Sequence, residues 1–393
     1  MSALQHNSQT SEPRQEVLVI SFSPLHRDPR VRRQIEALSQ DYRVHAAGLT
    51  DPCLPGVSFT ALRPLWANRF WSLVQAWLML LRCYSLMDTL MPRMRHGRRV
   101  LSPLAVHCKV IIANDIDALP LAHQLAGAGV VLYDAHEYSP GQNLFTWRWR
   151  FFHYPYRLWA CKQWMPRSFR CITVNQPIAE AYRSLCGVSC SISMNMPNRY
   201  ALDPRPTDPD RIRLIHHGGA APMRQLERLI AMVGYLDQRF TLTFMLMAPD
   251  DSPYLRKLKH LARMHGDRIR FDPPVAFDSI VPTIRHYDMG VCLLPSTTTN
   301  LRLALPNKLF EFIQARLAVA VSPNPAMAAL VREHGVGIVS DENSPQSMAR
   351  ILNGLTSEQI DQMRQRSHLA AASLNSDVVA ADWRAWVAEA MAS

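Results

Sequence analysis

The segment RLIHHGGAAPMRQLERLI holds the first of three groups of residues whose types and spacing suit chemistry. Gly218 and Gly219 follow an apolar run there, and Arg224 comes directly before a stretch with helical periodicity. Glycine lets a ligand approach the backbone, and the free amides of a helix N-terminus attract an anion. Because a guanidinium can hold two phosphate oxygens at once, this segment predicts a phosphate site, although two glycines before a helix also suit a simple turn.

The segment PNKLFEFIQA forms the second group. Proline favours a helix start, so Asn307 and Lys308 would open a helix and Glu311 would lie one turn beyond Lys308 on the same face. One interpretation is a surface ion pair that adds little stability. The other puts both side chains at the edge of a cleft, where the lysine would meet a diphosphate and the glutamate would accept two ribose hydroxyls.

The third group lies in the first half of the chain. Asn114 and Asp115 follow the apolar run VIIA, while His136 and Glu137 follow VVLYDA. Polar side chains directly after apolar strands point into a cleft at the carboxyl ends of the strands. A histidine by itself is usually structural, but the adjacent acid and the second polar pair favour contact with a substrate.

The apolar runs around these groups predict two series of parallel strands with helices between them. The first series comprises EVLVISFS, YRVHAAGL, VIIAND, VVLYDAHE and RCITVN; the second comprises RLIHHGG, TLTFMLMA, IRFDPP, MGVCLLP and AVAVS. The stretch between the two series is rich in proline and lacks an apolar period. We therefore expect an N-terminal domain over 16–198, a linker over 199–210 and a C-terminal domain over 211–375, with 1–15 as a disordered polar segment.

The formal charge of +11 is concentrated in two segments. Residues 63–109 hold eight Lys and Arg against one acid, residues 142–170 hold six against none, and together they contain seven of the nine tryptophans. Arginine interleaved with indole suits an anionic membrane surface, although the tryptophans could instead fill a core that the arginines coat. Nucleic acid is not favoured, because no zinc finger, RNP-type strand or helix-turn-helix accompanies the charge. The predicted membrane contacts are Trp147, Arg148, Trp149, Arg150 and Arg157.

Composition excludes several classes of protein. A chain with 48% hydrophobic and 19% charged residues is globular, and eight cysteines without a CxxC pair fit neither a zinc ribbon nor a disulfide scaffold. The polar N-terminal segment lacks the apolar core of a signal peptide, and no run of about 18 apolar residues is present. We therefore expect a cytoplasmic protein that associates peripherally with the inner face of the cell membrane.

The three groups, in this order, resemble the retaining glycosyltransferases of family 4, in the branch that builds polysaccharides and surface glycans. HRDPRVRRQIEALS, ANDIDALP, YDAHE and ITVN are similar to N-terminal segments of that branch. HHGGAAPMRQLERLI is similar to its phosphate loop, and YDMGVCLLP followed by PNKLFEF is similar to its donor-binding segment. DWRAWVAEAM resembles the last helix of that family.

The resemblance implies the GT-B fold, in which two Rossmann-like, doubly wound α/β domains face each other across a cleft. It also implies that the C-terminal helix, over 376–393, crosses back to the N-terminal domain. A nucleotide sugar would be held mainly by the C-terminal domain, and no metal or other cofactor would be needed, because cationic side chains and helix N-termini stabilise the departing diphosphate.

The resemblance further implies roles for individual residues. Arg224 and Lys308 would neutralise the diphosphate, Glu311 would hold ribose, and His136 would contact the transferred sugar. Donor-binding residues would be Gly218, Gly219, Arg224, Asn307, Lys308 and Glu311; acceptor-binding residues would be Asn114, Asp115, His136 and Glu137.

The sequence departs from the family pattern at two places. The family often carries a second glutamate eight positions before the one that corresponds to Glu311, and this chain has Leu303 there. Many members have glycine in the first loop, where this chain reads SPLHRDPR, so Arg27 or Arg30 would have to supply the phosphate contact. Asp115-Ile116-Asp117 matches a DxD metal-binding pattern literally, but it lies in the acceptor half.

These observations predict a retaining glycosyltransferase that moves a sugar from a nucleotide-sugar donor to a lipid-linked saccharide or related surface-glycan precursor. One alternative is a sugar-nucleotide epimerase of the same fold, which would leave the tryptophan-rich segments unexplained. Another is a catalytically degenerate subunit that scaffolds a glycan-assembly complex, for which the missing glutamate is the best support. The donor sugar, its base, the linkage and the oligomeric state stay open.

Overall fold

A computed structural model describes residues 14–63, 69–142, 144, 146–249 and 251–393. Most of the predicted disordered segment over 1–15 therefore lies outside the described residues, as do parts of the two arginine- and tryptophan-rich segments.

The N-terminal domain is built on a seven-stranded parallel sheet with the strand order β3-β2-β1-β4-β5-β6-β7. Its strands are β1 Glu16–Ser21, β2 Arg43–Gly48, β3 Ser58–Ala61, β4 Cys108–Asn114, β5 Val130–Ala135, β6 Arg170–Thr173 and β7 Cys190–Ile192. Its helices are α1 Pro29–Leu38, α2 Arg69–Leu80, α3 Tyr84–Leu90, α4 Pro92–Ala105, α5 Leu119–Leu125, α6 Tyr154–Trp164 and α7 Gln176–Cys186. The central strands are buried on both faces, which explains their unbroken β-branched sequences.

The C-terminal domain has a six-stranded parallel sheet with the strand order β10-β9-β8-β11-β12-β13. Its strands are β8 Ile212–Gly219, β9 Phe240–Met247, β10 Ile269–Asp272, β11 Met289–Cys292, β12 Ala318–Val321 and β13 Gly337–Val339. Its helices are α8 Glu227–Val233, α9 Pro253–Ala262, α10 Ile280–Ile284, α11 Thr299–Leu303, α12 Asn307–Gln314, α13 Pro325–His334, α14 Pro345–Asn353 and α15 Ser357–Ala370. Helix α12 packs directly on β11, where any side chain in place of Gly290 would overlap the ring of Phe312.

The last helix, α16 Ser376–Ala392, packs mainly on the N-terminal domain, although Val379 near its start also contacts the core of the C-terminal domain. Its Trp383 and Val387 are fully buried in one cluster with Val31 and Ile35 of α1. Lys109, at the start of β4, donates a hydrogen bond of 2.7 Å to the carbonyl oxygen of Met391. This confirms the expected return of the C-terminal helix.

The chain therefore crosses between the domains twice. The first crossing runs through 193–211, which contain no helix or strand, and the second leads into α16. The two crossings touch, because the backbone N–H of Ser376 donates to the carbonyl oxygen of Pro197 over 2.8 Å and its hydroxyl lies 3.0 Å from Oδ1 of Asn198.

The tryptophans of the two basic segments divide between core and surface. Trp71, Trp159 and Trp164 pack against the core of the N-terminal domain, whereas Trp77 and Trp147 are 61% and 70% exposed. Among the residues that the structure describes, no helix combines the length and the hydropathy needed to cross a bilayer.

Arg157, predicted to contact a membrane, is buried on α6. Its guanidinium donates to Oγ of Ser139 over 2.6 Å and to Oδ2 of Asp117 over 3.1 Å, and it lies 5.1 Å from the ring centroid of Trp149. The prediction for Arg157 is therefore wrong, because an internal carboxylate holds the charge. Asp117 is bound by Arg157 and by Arg93, so the literal DxD pattern does not present two free carboxylates.

Candidate functional site

The carboxyl end of β8 brings Gly218, Arg224 and Lys308 to one point. Gly218 has a φ of +113°, a backbone conformation that side chains disfavour. A β-carbon at that residue would lie 3.5 Å from Nζ of Lys308 and 3.6 Å from a terminal nitrogen of Arg224. The neighbouring Gly219 faces open space, since nothing lies within 4 Å of its β-carbon position. Two cations thus flank a stretch of backbone that a ligand can approach closely.

Lys308 is held by a neutral histidine. Its ammonium lies 3.0 Å from Nε2 of His216, whose Nδ1 lies 2.7 Å from the carbonyl oxygen of Val291. Because a carbonyl can only accept, Nδ1 carries the ring proton and Nε2 accepts from the lysine. Burial lowers the pKa of Lys308 to about 8, and the nearby Arg224 acts in the same direction. Within the described residues, no carboxylate forms an ion pair with Lys308.

Glu311 lies one turn further along α12 and is also buried. Its Oε2 is 3.3 Å from Nε2 of His217, although the angle leaves that nitrogen without an aligned hydrogen bond. Burial lowers the pKa of His217 to about 3 and raises the pKa of Glu311 to about 7. Lys308 and Glu311 are therefore not the surface ion pair that one interpretation of the sequence offered. Asn307 begins the same helix and is half-buried.

Arg33, on α1, reaches this site from the N-terminal domain. One terminal nitrogen donates to Oδ1 of Asn195 over 3.0 Å, while the other is buried and has no hydrogen-bond partner. The guanidinium lies 5.6 Å from the ring centroid of Phe277 in the C-terminal domain. Burial lowers the pKa of Arg33 to about 10, and the charge of Glu311 opposes that shift. Arg33 thus adds a third cation to the site, which our sequence reasoning missed.

The ends of β4 and β5 build a second group around His136. Nε2 of His136 lies 3.1 Å from Oδ1 of Asn114 and 3.5 Å from Oδ2 of Asp134, and Nδ1 lies 3.3 Å from Oδ2 of Asp115. The backbone N–H of His136 donates to Oδ1 of Asp115 over 3.2 Å. Burial alone would lower the pKa of His136, but Asp115 and Asp134 outweigh it and raise the pKa to about 9. His136 is therefore an imidazolium at neutral pH.

Asp134 is the carboxylate of this group that is held most firmly in place. Arg30 binds its two carboxylate oxygens over 2.8 and 2.6 Å and also donates to the carbonyl oxygen of Ser193 over 2.7 Å. Burial would raise the pKa of Asp134, yet Arg30 and His136 hold it at about 2. Arg30 is consequently occupied, and the idea that it replaces the glycine loop as a phosphate ligand is wrong. Arg27 is exposed and remains a prediction.

Glu137 joins the two domains. Its Oε2 accepts a 2.9 Å hydrogen bond from Asn300 of α11 and a 3.1 Å hydrogen bond from Gln142. Close by, Asn175 donates to the carbonyl oxygen of Leu303 over 2.8 Å. The group around His136 and the C-terminal domain therefore approach each other directly, and the position that lacks the second glutamate is buried at this contact.

The chain matches no protein-family model and no curated protein sequence. Solved structures resemble it over nearly its whole length. HepE from Anabaena, in complex with UDP, has a TM-score of 0.70 at 13% identity, and the match covers 96% of this chain and 100% of that one. Sucrose-phosphate synthase from Thermosynechococcus elongatus has a TM-score of 0.71 at 17% identity with the same coverage. A trehalose 6-phosphate synthase from Burkholderia multivorans has a TM-score of 0.61 at 12% identity, also with the same coverage.

At these identities the likeness shows the fold. The two parallel sheets, the helices on their faces and the full-length matches confirm that this chain has the GT-B fold.

Proposed function

We propose that this chain is a retaining glycosyltransferase that takes its sugar from a nucleotide-sugar donor. The proposal rests on one observation: Arg224 and Lys308, neither of them paired with a carboxylate in the described part of the chain, meet at Gly218 where β8 ends. A buried cation without a counter-ion is costly, and an anionic ligand offsets that cost. Among the proteins of similar fold, HepE has been solved with UDP and with UDP-glucose, which supports a nucleotide diphosphate as that anion.

In this proposal the diphosphate lies between Arg224 and Lys308, and Glu311 accepts the ribose hydroxyls. During transfer the bond between the anomeric carbon and the diphosphate oxygen breaks, and a bond to an acceptor hydroxyl oxygen forms on the same face. The hydroxyl proton passes to the departing phosphate oxygen. Preorganised cations favour this step because the negative charge on the leaving group grows as the bond breaks. No metal is needed for that role.

The imidazolium of His136 would contact the transferred sugar from the opposite domain. Its two ring N–H groups face Asn114 and Asp115, so a sugar or acceptor hydroxyl would take over or share the 3.3 Å contact between Nδ1 and Asp115. Glu137 would act mainly through Asn300, because its carboxylate is already engaged across the cleft.

We further propose that the acceptor is presented at a membrane. Several large apolar side chains on or near α2 and α3, and on the segment that leads into α6, are exposed: Phe70, Leu73, Trp77, Leu80, Leu81, Leu86, Leu90, Trp147 and Phe151. Helix α2 contacts the π-helical turn Trp149–His153, so part of this apolar face is contiguous. The exposed Arg148 and Arg150 lie beside it. This combination suits the headgroup and acyl boundary of an anionic bilayer, and hence a lipid-linked saccharide.

Turnover with a nucleotide sugar tests the enzymatic part. UDP-glucose and other nucleotide sugars are incubated with the protein and a membrane extract, and released nucleoside diphosphate is measured. We expect release that is lost in Arg224→Ala and kept in Arg332→Ala, an exposed arginine on α13 of the same domain. If the protein converts one nucleotide sugar into another when no acceptor is present, and no nucleoside diphosphate is released, the sugar-nucleotide epimerase is favoured. Calorimetry that detects no nucleotide binding at all would favour the scaffold subunit.

A further inference from the structure

A histidine, a carboxylate and a thiol come together near the amino ends of the strands of the N-terminal sheet, on the side opposite the cleft. Glu16 begins β1, Cys108 begins β4, and the two are paired positions in the parallel ladder. His45 lies on β2, on the other side of β1. One ligand atom from each residue, the imidazole nitrogen, the carboxylate oxygen and Sγ, lies within 4.8 Å of the other two. Three neighbouring strands thus deliver three different donor atoms to one place.

The donor set fits Zn²⁺. Zinc binds imidazole nitrogen, carboxylate oxygen and thiolate sulfur at about 2.0–2.3 Å in tetrahedral geometry, which separates neighbouring ligand atoms by roughly 3.3–3.8 Å. The three atoms here all lie within 4.8 Å of one another, which is close to that spacing. Mg²⁺ and Ca²⁺ prefer a complete set of oxygens and do not suit a site with nitrogen and sulfur. Three protein ligands leave the fourth position for water.

Outer contacts already orient two of the three ligands. Nδ1 of His45 makes a short hydrogen bond with the hydroxyl of Ser58 on β3, which directs Nε2 towards Oε2 of Glu16 at 3.0 Å. Arg43 donates to Oε1 of the same carboxylate over 3.3 Å, so Oε2, which faces His45, is the oxygen that would bind an ion. Hydrogen bonds of this kind from outside the ligand shell are typical of metal-binding histidines and carboxylates.

The contact between His45 and Glu16 can hold either a proton or a metal ion. When Nε2 donates to the carboxylate, Nδ1 accepts from the Ser58 hydroxyl; when Nδ1 donates to Ser58, Nε2 presents a lone pair that a metal ion can bind. The side chains of His45 and Glu16 are 12% and 24% exposed, so an ion can enter from their side, whereas Cys108 closes the site from the core.

We propose that Glu16, His45 and Cys108 bind one Zn²⁺ ion that joins β2, β1 and β4. The ion replaces the proton between histidine and glutamate and displaces the proton of the Cys108 thiol. Its role is structural, because the site lies at the amino ends of the strands, away from the cleft. It also fixes the residue next to Lys109, whose side chain holds the end of α16.

Cobalt substitution tests this proposal in the full-length protein. Metal-free protein is titrated with Co²⁺, and we expect one equivalent to give the intense visible bands of a tetrahedral site together with a thiolate-to-cobalt charge-transfer band. One equivalent of Zn²⁺ should abolish both. The charge-transfer band should disappear in Cys108→Ser and persist in Cys53→Ser, which removes an exposed thiol elsewhere.

Two further variants keep the test independent of folding at Cys108. Ser58→Ala removes only an outer contact and should weaken Zn²⁺ binding by about 10–100-fold. Glu16→Gln should weaken Zn²⁺ binding at least as much. Because Glu16 is partly exposed, this substitution should leave the fold unchanged. Octahedral cobalt spectra without a sulfur band, or Zn²⁺ affinity that is the same in Glu16→Gln and wild type, would overturn the proposal.

Discussion

Nζ of Lys308 lies 3.0 Å from Nε2 of His216, so the buried cation of the proposed donor site is held by a neutral ring instead of a carboxylate. A carboxylate in that place would compete with a diphosphate for the same charge. The arrangement keeps the lysine oriented and leaves its charge available to a ligand.

The first prediction concerns this lysine. Lys308→Met keeps most of the volume and removes a buried charge, so we expect the free energy of unfolding to stay the same or increase. Nucleotide-sugar turnover should fall by at least about 100-fold, which is typical when one preorganised charge is removed from a transition state. Urea unfolding and single-turnover kinetics measure the two quantities separately. A variant that loses stability in proportion to its activity would assign Lys308 a structural role instead.

The second prediction concerns nucleotide binding at high pH. Because the pKa of Lys308 is about 8, the lysine loses its proton as the pH rises through that value. Affinity for a nucleoside diphosphate should therefore decline between about pH 7 and pH 9, well below the ordinary range for lysine. Calorimetry across this interval measures the decline, and in Lys308→Met the same decline should be absent.

The third prediction concerns Gly218. Alanine at a φ of +113° is strained, and its methyl group would take up space beside Lys308 and Arg224, so Gly218→Ala should lower the free energy of unfolding by about 1–3 kcal/mol and weaken nucleotide binding. Thermal denaturation and calorimetry measure both effects. Gly219→Ala is the matched control for stability, since that position faces open space. Equal stability of the two variants would contradict the backbone strain expected at Gly218.

The fourth prediction concerns alkaline stability. The pKa of His136 is about 9 in the folded chain and 6.5 as an ordinary value, so its protonated form stabilises the fold. That contribution is complete below about pH 6.5 and is lost as the pH rises through 9; it is on the order of 3 kcal/mol. Urea unfolding at pH 7 and pH 10 should show a smaller loss in His136→Gln than in wild type. An identical pH dependence in the two proteins would count against the charged His136.

The fifth prediction separates surface arginines from the internal one. Arg148→Ser combined with Arg150→Ser should reduce co-sedimentation with anionic vesicles, and added salt should have the same effect on wild type. The free energy of unfolding of this double variant should equal that of wild type, because both side chains are exposed. Arg157→Ser should instead lower the free energy of unfolding by about 2 kcal/mol, since it removes the partly buried hydrogen bond to Asp117. If the protein binds neutral and anionic vesicles equally well, the proposed contact with an anionic membrane surface is contradicted.

The sequence predicted the structure best where the local hydrophobic pattern determines it. Every predicted strand is present, and Gly218, Arg224 and Lys308 meet because strand ends of a parallel sheet share one edge. The strands that sequence reasoning missed, β3, β7 and β13, have three or four residues each and lie at sheet edges, where the hydrophobic pattern is weak.

The remaining errors come from contacts between distant parts of the chain. Arg157 is buried and donates a hydrogen bond to Asp117, which lies forty residues earlier in the chain. The alternation of arginine and tryptophan around Arg157 gives no sign of that partner. Arg33 reaches the site only because the two domains pack together, so its role depends on their relative placement. The two histidines before Gly218 were a visible signal: paired polar residues at the end of an apolar strand deserved the same weight as the glycines.

The two passages of the chain between the domains run side by side, tied at Ser376 and Pro197. We expect such a double connection to favour a hinge movement about the line through these contacts and to resist twisting of one domain on the other. An opening that admits the proposed donor would then pivot there and separate Glu137 from Asn300. Cleavage of the backbone just before α16 would leave a single connection and let the domains swivel, even with every side chain of the cleft in place.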